Sequence, residues 1–376
     1  MTAQPLIQSH QIGDSIALLS VASGAIVLTN DFGSSIHQGL ANGLSPEQIA
    51  RNLAETPKDQ TAALTAVQTV LSTWEKAGLL LSSAPEFPDP VDYSPSVGTT
   101  LRFGGAGGNG QVLISDETLA EQVSTILGHM PPLPGPEGRA LSAQRTQTGF
   151  AIFDGERPLS GSIPLDAARF VIIRELAEDL CGQQDVAAVF HAGCVADGNQ
   201  ALMICGDSGQ GKSTLTLGLV AAGCSYLGDD HIPLHRDGRT ALCFPTAAGV
   251  KATAWDLPEI IDLQTRFGLT PQSPRQGVRY LPLHRAQAPR VGEKRPIAAL
   301  IFPHFHPDAS FEMVRLTPEQ ALIQGLQAGS RLSRSHKSNL APLCNFLNDV
   351  PAYALHYSSS SQSVPACLKL MSSHET

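Results

Sequence analysis

Apolar positions in the first eighty residues change their spacing twice. Residues 16–19 and 25–28 are two short apolar runs separated by Ser23-Gly24, a pattern that predicts a hairpin. From Asn30-Asp31 the spacing lengthens to four, with Phe32, Ile36 and Leu40 on one stripe, which predicts a helix. Ser45-Pro46-Glu47-Gln48 gives a second helix its N-cap, a proline at the first helical position and a polar first turn; that helix buries Ile49 and Leu53. A third helix, from about Asp59 to Lys76, carries Leu64, Val67, Leu71 and Trp74 on one face, and Gly78 ends it before the apolar residues 79–81. Strands followed by three short amphipathic helices predict a small winged-helix-like module over residues 1–84.

Residues 85–100 hold four prolines and three acidic side chains and predict a semi-stiff linker. Residues 101–376 then alternate strand and helix patterns. The glycines of residues 104–110 have no lysine and no helix start behind them, so they predict a hairpin or loop rather than an anion site. A strand over 111–114 and a helix over 117–127 follow. A strand over 151–153 runs into an Asp154-Gly155 turn, and Phe170, Ile173, Leu176 and Leu180 mark a helix over 165–180. Strands are predicted at 186–190, 201–205, 297–302 and 352–357, with Phe244-Pro245 and Val250-Lys251 at the start of a strand pair. Thr317-Pro318-Glu319-Gln320 caps a helix through Leu326, residues 335–350 read as another, and 358–361 as a turn. The alternation predicts an α/β fold with a mixed sheet.

Composition narrows the class. The chain has 376 residues, 42% of them hydrophobic and 5% aromatic, which is ample for aliphatic cores in two or three domains. A net charge of −9 gives no nucleic-acid footprint. There is no apolar run long enough for a membrane span and no signal-peptide pattern. The seven cysteines form no Cys-x-x-Cys pair and read as reduced thiols of a cytoplasmic protein.

The chemistry concentrates in one stretch. The apolar run 201–205 leads into Gly206-Asp207-Ser208-Gly209-Gln210-Gly211-Lys212-Ser213-Thr214, and an apolar helical stretch follows. Strand, glycine loop and helix are the context that a phosphate-binding loop needs. The glycines let successive N–H groups converge on phosphates, and the helix N-terminus adds positive potential. Lys212 is placed to reach the β- and γ-phosphates and Ser213 to ligate Mg²⁺. About one helix further on, a short apolar strand runs into Asp229-Asp230, two acids placed to share metal binding and proton acceptance. The strand over 186–190 delivers His191 to its end.

Two resemblances sharpen this reading. Residues 18–81, with LLS…AIVLTNDFGSSIHQGLANGLSPEQIARNLAE…VQTVLSTWEKAGLLL, resemble the PqqD family of peptide-binding domains. That implies a module holding the leader segment of a precursor peptide against a sheet edge; a plain accessory or dimerisation domain is the alternative. FHAGCVADGNQALMICGDSGQGKSTLTLGLVAAGCSYLGDDHIPL resembles the HPr kinase/phosphorylase superfamily, in particular its members from peptide-tailoring gene sets. That implies a P-loop fold of the HPr-kinase and PEP-carboxykinase type, with ATP and Mg²⁺ as cofactors. On this chain it implies Lys212 and Ser213 on the phosphates and metal, Asp229 as general base, Asp230 as the metal-side carboxylate and His191 near the transferring phosphate. The order of the two aspartates is open. A homo-oligomer is implied by the resemblance alone.

The long glycine- and arginine-containing signature of authentic HPr kinases is absent. Neither HPr as substrate nor reversal by inorganic phosphate is therefore expected, and the PqqD-like module points instead to a serine or threonine of a precursor peptide or other protein. Three alternatives stay open: a small-molecule hydroxyl acceptor, a non-catalytic nucleotide-gated peptide chaperone and, last, a carboxykinase-type enzyme. Beyond the core motif, Arg275, Arg279, Arg285, Arg290, Lys294 and Arg295 form a basic stretch that suits phosphates or an acidic peptide, or else a solvated loop. Lys251 faces the site or solvent. His304 and His306 would share a strand face, with no third metal ligand at a regular spacing.

Overall fold

The computed structural model describes residues 6–82, 87, 89–94, 97–207, 209–283, 289–333 and 340–372. The chain begins with an antiparallel sheet of β1 (Ile7–Ile12), β2 (Ser15–Ser20) and β3 (Ile26–Thr29), in that order. Helices α1 (Asp31–Ala41), α2 (Pro46–Leu53) and α3 (Gln60–Lys76) follow. β2 and β3 are the expected hairpin. β1 was not expected, because IQSHQI has only two apolar residues and owes its conformation to its partner strand. Asn30 caps α1, and Ser45 and Gln48 form a reciprocal capping box on α2.

Strand alternation decides how this module sits. Leu18 faces inward with Ile36, Ile49, Val67, Trp74 and Leu79. Its neighbours Ala17 and Leu19 point the other way and join Ile12 in the core of the large unit. Each large apolar side chain buried there is worth about 1.5–3 kcal/mol. Polar contacts frame the seam: Asn348 donates to Gln11 O at 3.2 Å, and the Asp14 N–H donates to Glu319 at 2.7 Å. The module is docked, not merely tethered. The described residues of the expected linker are also held. Gln144 and Ser94 exchange two hydrogen bonds, and Tyr93 lies edge-on to Phe153 at 5.4 Å.

A five-stranded sheet comes next, in the order β4 (Thr99–Gly105), β5 (Gly108–Ile114), β6 (Ala140–Arg145), β7 (Phe150–Asp154) and β8 (Arg157–Pro158). Helices α4 (Glu117–Leu127) and α5 (Leu165–Cys181) pack with it. The glycine cluster is its first hairpin, as expected. The glycines are there for closeness: a Cβ on Gly105 would lie 2.3 Å from Leu180 O, and one on Gly107 1.9 Å from Gly182 N.

The remaining elements build the main sheet. They are β9 (Val186–Phe190), β10 (Ala192–Asp197), β11 (Gln200–Cys205), α6 (Lys212–Ala221), β12 (Ser225–Gly228), β13 (Ile232–His235) and β14 (Thr240–Leu242). A side sheet holds β15 (Ala248–Lys251), β16 (Gln272–Arg275) and β17 (Val278–Leu281), with α7 (Pro258–Phe267) between the first two. Then come β18 (Lys294–Phe305), β19 (Glu312–Leu316), α8 (Pro318–Gln327), β20 (Arg331–Leu332), α9 (Leu340–Asp349), β21 (Ala352–Tyr357) and α10 (Ser360–Ser372). Among the described residues ten strands join in one mixed sheet, β12-β10-β11-β18-β14-β13-β9-β20, with β21 on β18 and β19 on β21. The fold is mixed α/β, as the alternation predicted.

Residues 358–361 were expected as a turn, but α10 starts at Ser360. Pro365 and the serine run hide this helix from a propensity reading, since Pro365 lacks the N–H its turn would use. Packing of Cys367 and Met371 into the core forms it anyway.

Charges are buried where α5 crosses the sheets. Arg139 contacts Asp154, Glu175 and Asp179, each at 3.2 Å, and Arg331 reaches Glu175 and Glu178, each at 2.8 Å. Burial pushes Asp179 up to about 6, against the pull of Arg139. A raised carboxylate pKa adds stability that is full below the unfolded value, near 4, and lost as pH rises through about 6. The stability of the native chain relative to Asp179→Asn is therefore expected to fall by about 2–3 kcal/mol between pH 4 and pH 7. Denaturant titrations of both proteins at the two pH values check this, and parallel profiles would contradict it.

Candidate active site

Strand direction gathers the site. β11, β18 and β21 run parallel, so their last residues lie at one end of the sheet. β10 is antiparallel to β11, with Ala192 opposite Cys205, so His191 arrives at that same end. β12 is antiparallel to β10, with Gly228 opposite Cys194, so Asp229 and Asp230 arrive there too. Residues distant in sequence thus meet around the loop that joins β11 to α6.

The loop runs from the end of β11 into α6. Gly209 and Gly211 take positive φ of 98° and 94°. Gly211 has a second reason to be glycine, since a Cβ there would lie 2.4 Å from the Tyr357 hydroxyl, which donates to Gly211 O at 3.3 Å. Gly206 and the exposed Asp207 lead in, and the Gln210 N–H donates to Asp207 O at 3.3 Å. Lys212, Ser213 and Thr214 form the first turn of α6. Ser208 lies outside the described residues. Gly193 on β10 lets α6 approach, because a Cβ there would lie 2.1 Å from the Thr216 hydroxyl.

Lys212 is only 5% exposed and points its ammonium between the two acids. It lies 3.4 Å from Asp229 and forms a closer pair with Asp230. The Ser213 hydroxyl donates to the second oxygen of Asp229 at 2.7 Å. Asp229 is buried, with its backbone tied to Thr246: the Thr246 hydroxyl donates to Asp229 O at 2.7 Å. Asp230 is half exposed and lies 3.3 Å from His191 Nε2. His191 is oriented through Nδ1 against Ala328 O at 2.6 Å, and its N–H donates to the Ser330 hydroxyl at 3.1 Å. Asp230 also has φ of +66°, the left-handed region, and is the only described non-glycine residue there. Such strain marks a residue that its surroundings hold in place.

The electrostatics follow. Burial works against the Lys212 charge, but the two carboxylates outweigh it and raise its pKa. Burial pushes Asp229 up, more than Lys212 and Ser213 pull it down. Burial acts on Asp230 in the same sense, but the Lys212 charge and the His191 hydrogen bond win and hold it well below the usual range. Burial also pushes His231 down to about 3, so that imidazole stays neutral beneath Phe170, with ring centroids 4.4 Å apart.

Among the described residues, Lys212 and Ser213 of the predicted loop therefore converge with His191, Asp229 and Asp230. Most of the basic stretch does not join them. Arg275 pairs with Asp166, Arg295 with Glu293, Arg279 stacks on Trp255 at 4.0 Å, and Lys294 contacts His235. Arg290 sits beside Glu293, and Arg285 lies outside the described residues. Lys251 ends β15 with an exposed side chain. His304 stacks on His356, its register partner on β21, and His306 lies past the end of β18. No set of three metal-ligating side chains occurs among the described residues. The seven cysteines are free and buried, and no described helix is long and apolar enough to cross a membrane. Thr246, Ser330 and Tyr357 were not anticipated. Only Tyr357, an aromatic at a strand end, offered a signal.

No protein-family model matches the chain, and no curated protein matches it. Among solved structures, the HPr(Ser) kinase/phosphatase from Coxiella burnetii is similar, with 12% identity and a TM-score of 0.25 over 50% of this chain and 95% of that one. The functional reading therefore rests on the site itself.

Lys212→Met would leave two adjacent acids without their counter-charge. It is expected to cost about 3–5 kcal/mol at pH 7. Asp230, held low in the native chain, contributes stability above its ordinary range that is lost as pH falls through the depressed value. In the variant both acids are raised, so stability should instead grow as pH falls toward about 5. Thermal melts across that range check the inversion, and a variant that loses stability on acidification would refute it.

Proposed function

We propose that the chain is an ATP-dependent phosphotransferase acting on a hydroxyl, with a serine or threonine of a peptide or protein as acceptor. The observation that carries this reading is the meeting of Lys212, Ser213, Asp229, Asp230 and His191 at the mouth of one glycine loop. The backbone N–H groups of the loop and the N-terminus of α6 suit the phosphate chain. Lys212 exchanges part of its carboxylate contact for the phosphates.

The donor set fits Mg²⁺. The Ser213 hydroxyl and Asp229 carboxylate are adjacent hard oxygens at the loop, with Asp230 beside them. The ion supplies charge neutralisation to the transferring group when bound. With Asp229 spent on Ser213 and closed off from solvent, the two acids exchange the roles implied by resemblance. Asp229 becomes the metal-side carboxylate and Asp230, half exposed and braced by His191, the one that meets the acceptor. The hydroxyl oxygen attacks the γ-phosphorus as the bond to the bridging oxygen breaks, and the hydroxyl proton passes to Asp230. Asp230 thus orients the hydroxyl and accepts its proton, which suits a transfer governed by position and charge.

What supports a peptide acceptor is the N-terminal module. Its resemblance is to peptide-binding domains, β3 ends its sheet as an edge strand, and it packs on the unit that carries the site. Docking also means that deleting residues 1–84 would strip Ile12, Ala17 and Leu19 from the main core, so truncation is a poor test of substrate choice.

The test is mass spectrometry after incubating the full chain with Mg²⁺·ATP and peptides encoded beside it, with Asp229→Asn and Asp230→Asn as controls. A phosphate-sized gain on a serine or threonine is expected, lowered about 10²–10⁴-fold by Asp230→Asn. ATP consumed with the peptides unchanged would move the acceptor to small molecules. Intact ATP with peptide bound would replace catalysis by a chaperone role.

A further inference from the structure

Phe305 is a large aromatic left 44% exposed at the rim of the phosphate loop, and nothing in the proposed chemistry uses it. It is the last residue of β18, the strand that pairs with β11 on the side away from the acids. Its N–H donates to Gln210 O at 3.2 Å, and a Cβ on Gly211 would lie 3.0 Å from its own Cβ. Its ring lies edge-on to buried Tyr357, centroids 5.6 Å apart. The turn behind it is closed by its own bonds: the His306 N–H donates to Tyr357 O at 3.1 Å, and the Ala309 N–H to His306 O at 3.0 Å. Phe305 is thus fixed against the loop while its ring stays open to solvent.

Strand order gives this position a meaning. Across the sheet end the sequence is β12, β10, β11, β18. The acids that serve the acceptor sit after β12, on one flank of the loop. A nucleotide whose γ-phosphate faces them directs its α-phosphate, ribose and base toward the other flank, where Phe305 stands. A preorganised aromatic at that place offers a stacking face to a planar base, and stacking tolerates base identity because every base has such a face.

We propose that Phe305 is the platform on which the nucleotide base stacks; this rests on the nucleotide reading given above. The stacking binds the nucleoside end of the ligand and leaves the phosphate contacts to the loop. The site therefore favours nucleoside triphosphates over bare polyphosphate without reading one base against another.

Calorimetric titration of the full chain with Mg²⁺·ATP and with Mg²⁺·tripolyphosphate, which has no base, tests this directly. Phe305→Ala should weaken ATP binding about tenfold or more and leave tripolyphosphate binding unchanged, and Phe305→Trp should restore the ATP affinity. Equal affinity of wild type and Phe305→Ala for ATP would overturn the platform while leaving the nucleotide reading standing. Equal weakening of both ligands would also overturn it, since Phe305 would then only shape the loop. A wild-type chain that binds neither ligand would remove the nucleotide reading and the platform together.

Discussion

Lys212 holds its charge almost wholly out of water, and the rest of the site is arranged around that fact. A buried ammonium needs counter-charge at contact distance, and here two consecutive carboxylates supply it. Two such acids are themselves costly side by side, so each is braced separately. Asp229 is tied to Ser213 and Thr246, whereas Asp230 leans on His191. His191 is in turn fixed by the end of α8. Elements from four parts of the chain are thereby committed to one point.

That commitment explains why the main sheet has its topology. β11 and β18 run parallel, and β10 and β12 run against β11, an arrangement that brings the loop, His191 and the acids to one edge. The buried run of β18, residues 297–303, is continuous rather than alternating, as expected of a strand paired along both edges and covered on both faces. The capped helix α8 reaches from Glu319, bonded to the β1–β2 turn, to Ala328 beside His191. The N-terminal module and the site therefore share one rigid element.

Much of this was legible in the sequence, for physical reasons that differ by element. The loop and its flanking strand and helix are a local pattern, so reading residues 201–222 required no tertiary information. The N-caps at Ser45 and Thr317 are equally local and formed as expected, each as a reciprocal capping box. The contact between His191 and Asp230 was legible only as two residues at strand ends, because their meeting depends on strand order. The docking of the module was missed, although residues 17–19 carried the clue. Ala17, Leu18 and Leu19 are all apolar, and a strand apolar on both faces needs a partner on each. α10 was missed because its stability comes from packing and not from propensity.

The division between the two acids is the part no motif could give. Adjacent residues in a strand end differ by about half a turn of the backbone, so one faces the sheet interior when the other faces out. Asp229 takes the interior place, where Ser213 and Lys212 already lie. Asp230 is turned outward through a left-handed φ that an aspartate tolerates better than most residues. The strained turn thus converts a repeated residue into two chemically different groups. One is sealed and raised by burial, and the other is open and held low by its cationic neighbour. A single acid could not both hold the loop hydroxyl from a sealed position and present an open carboxylate beside His191.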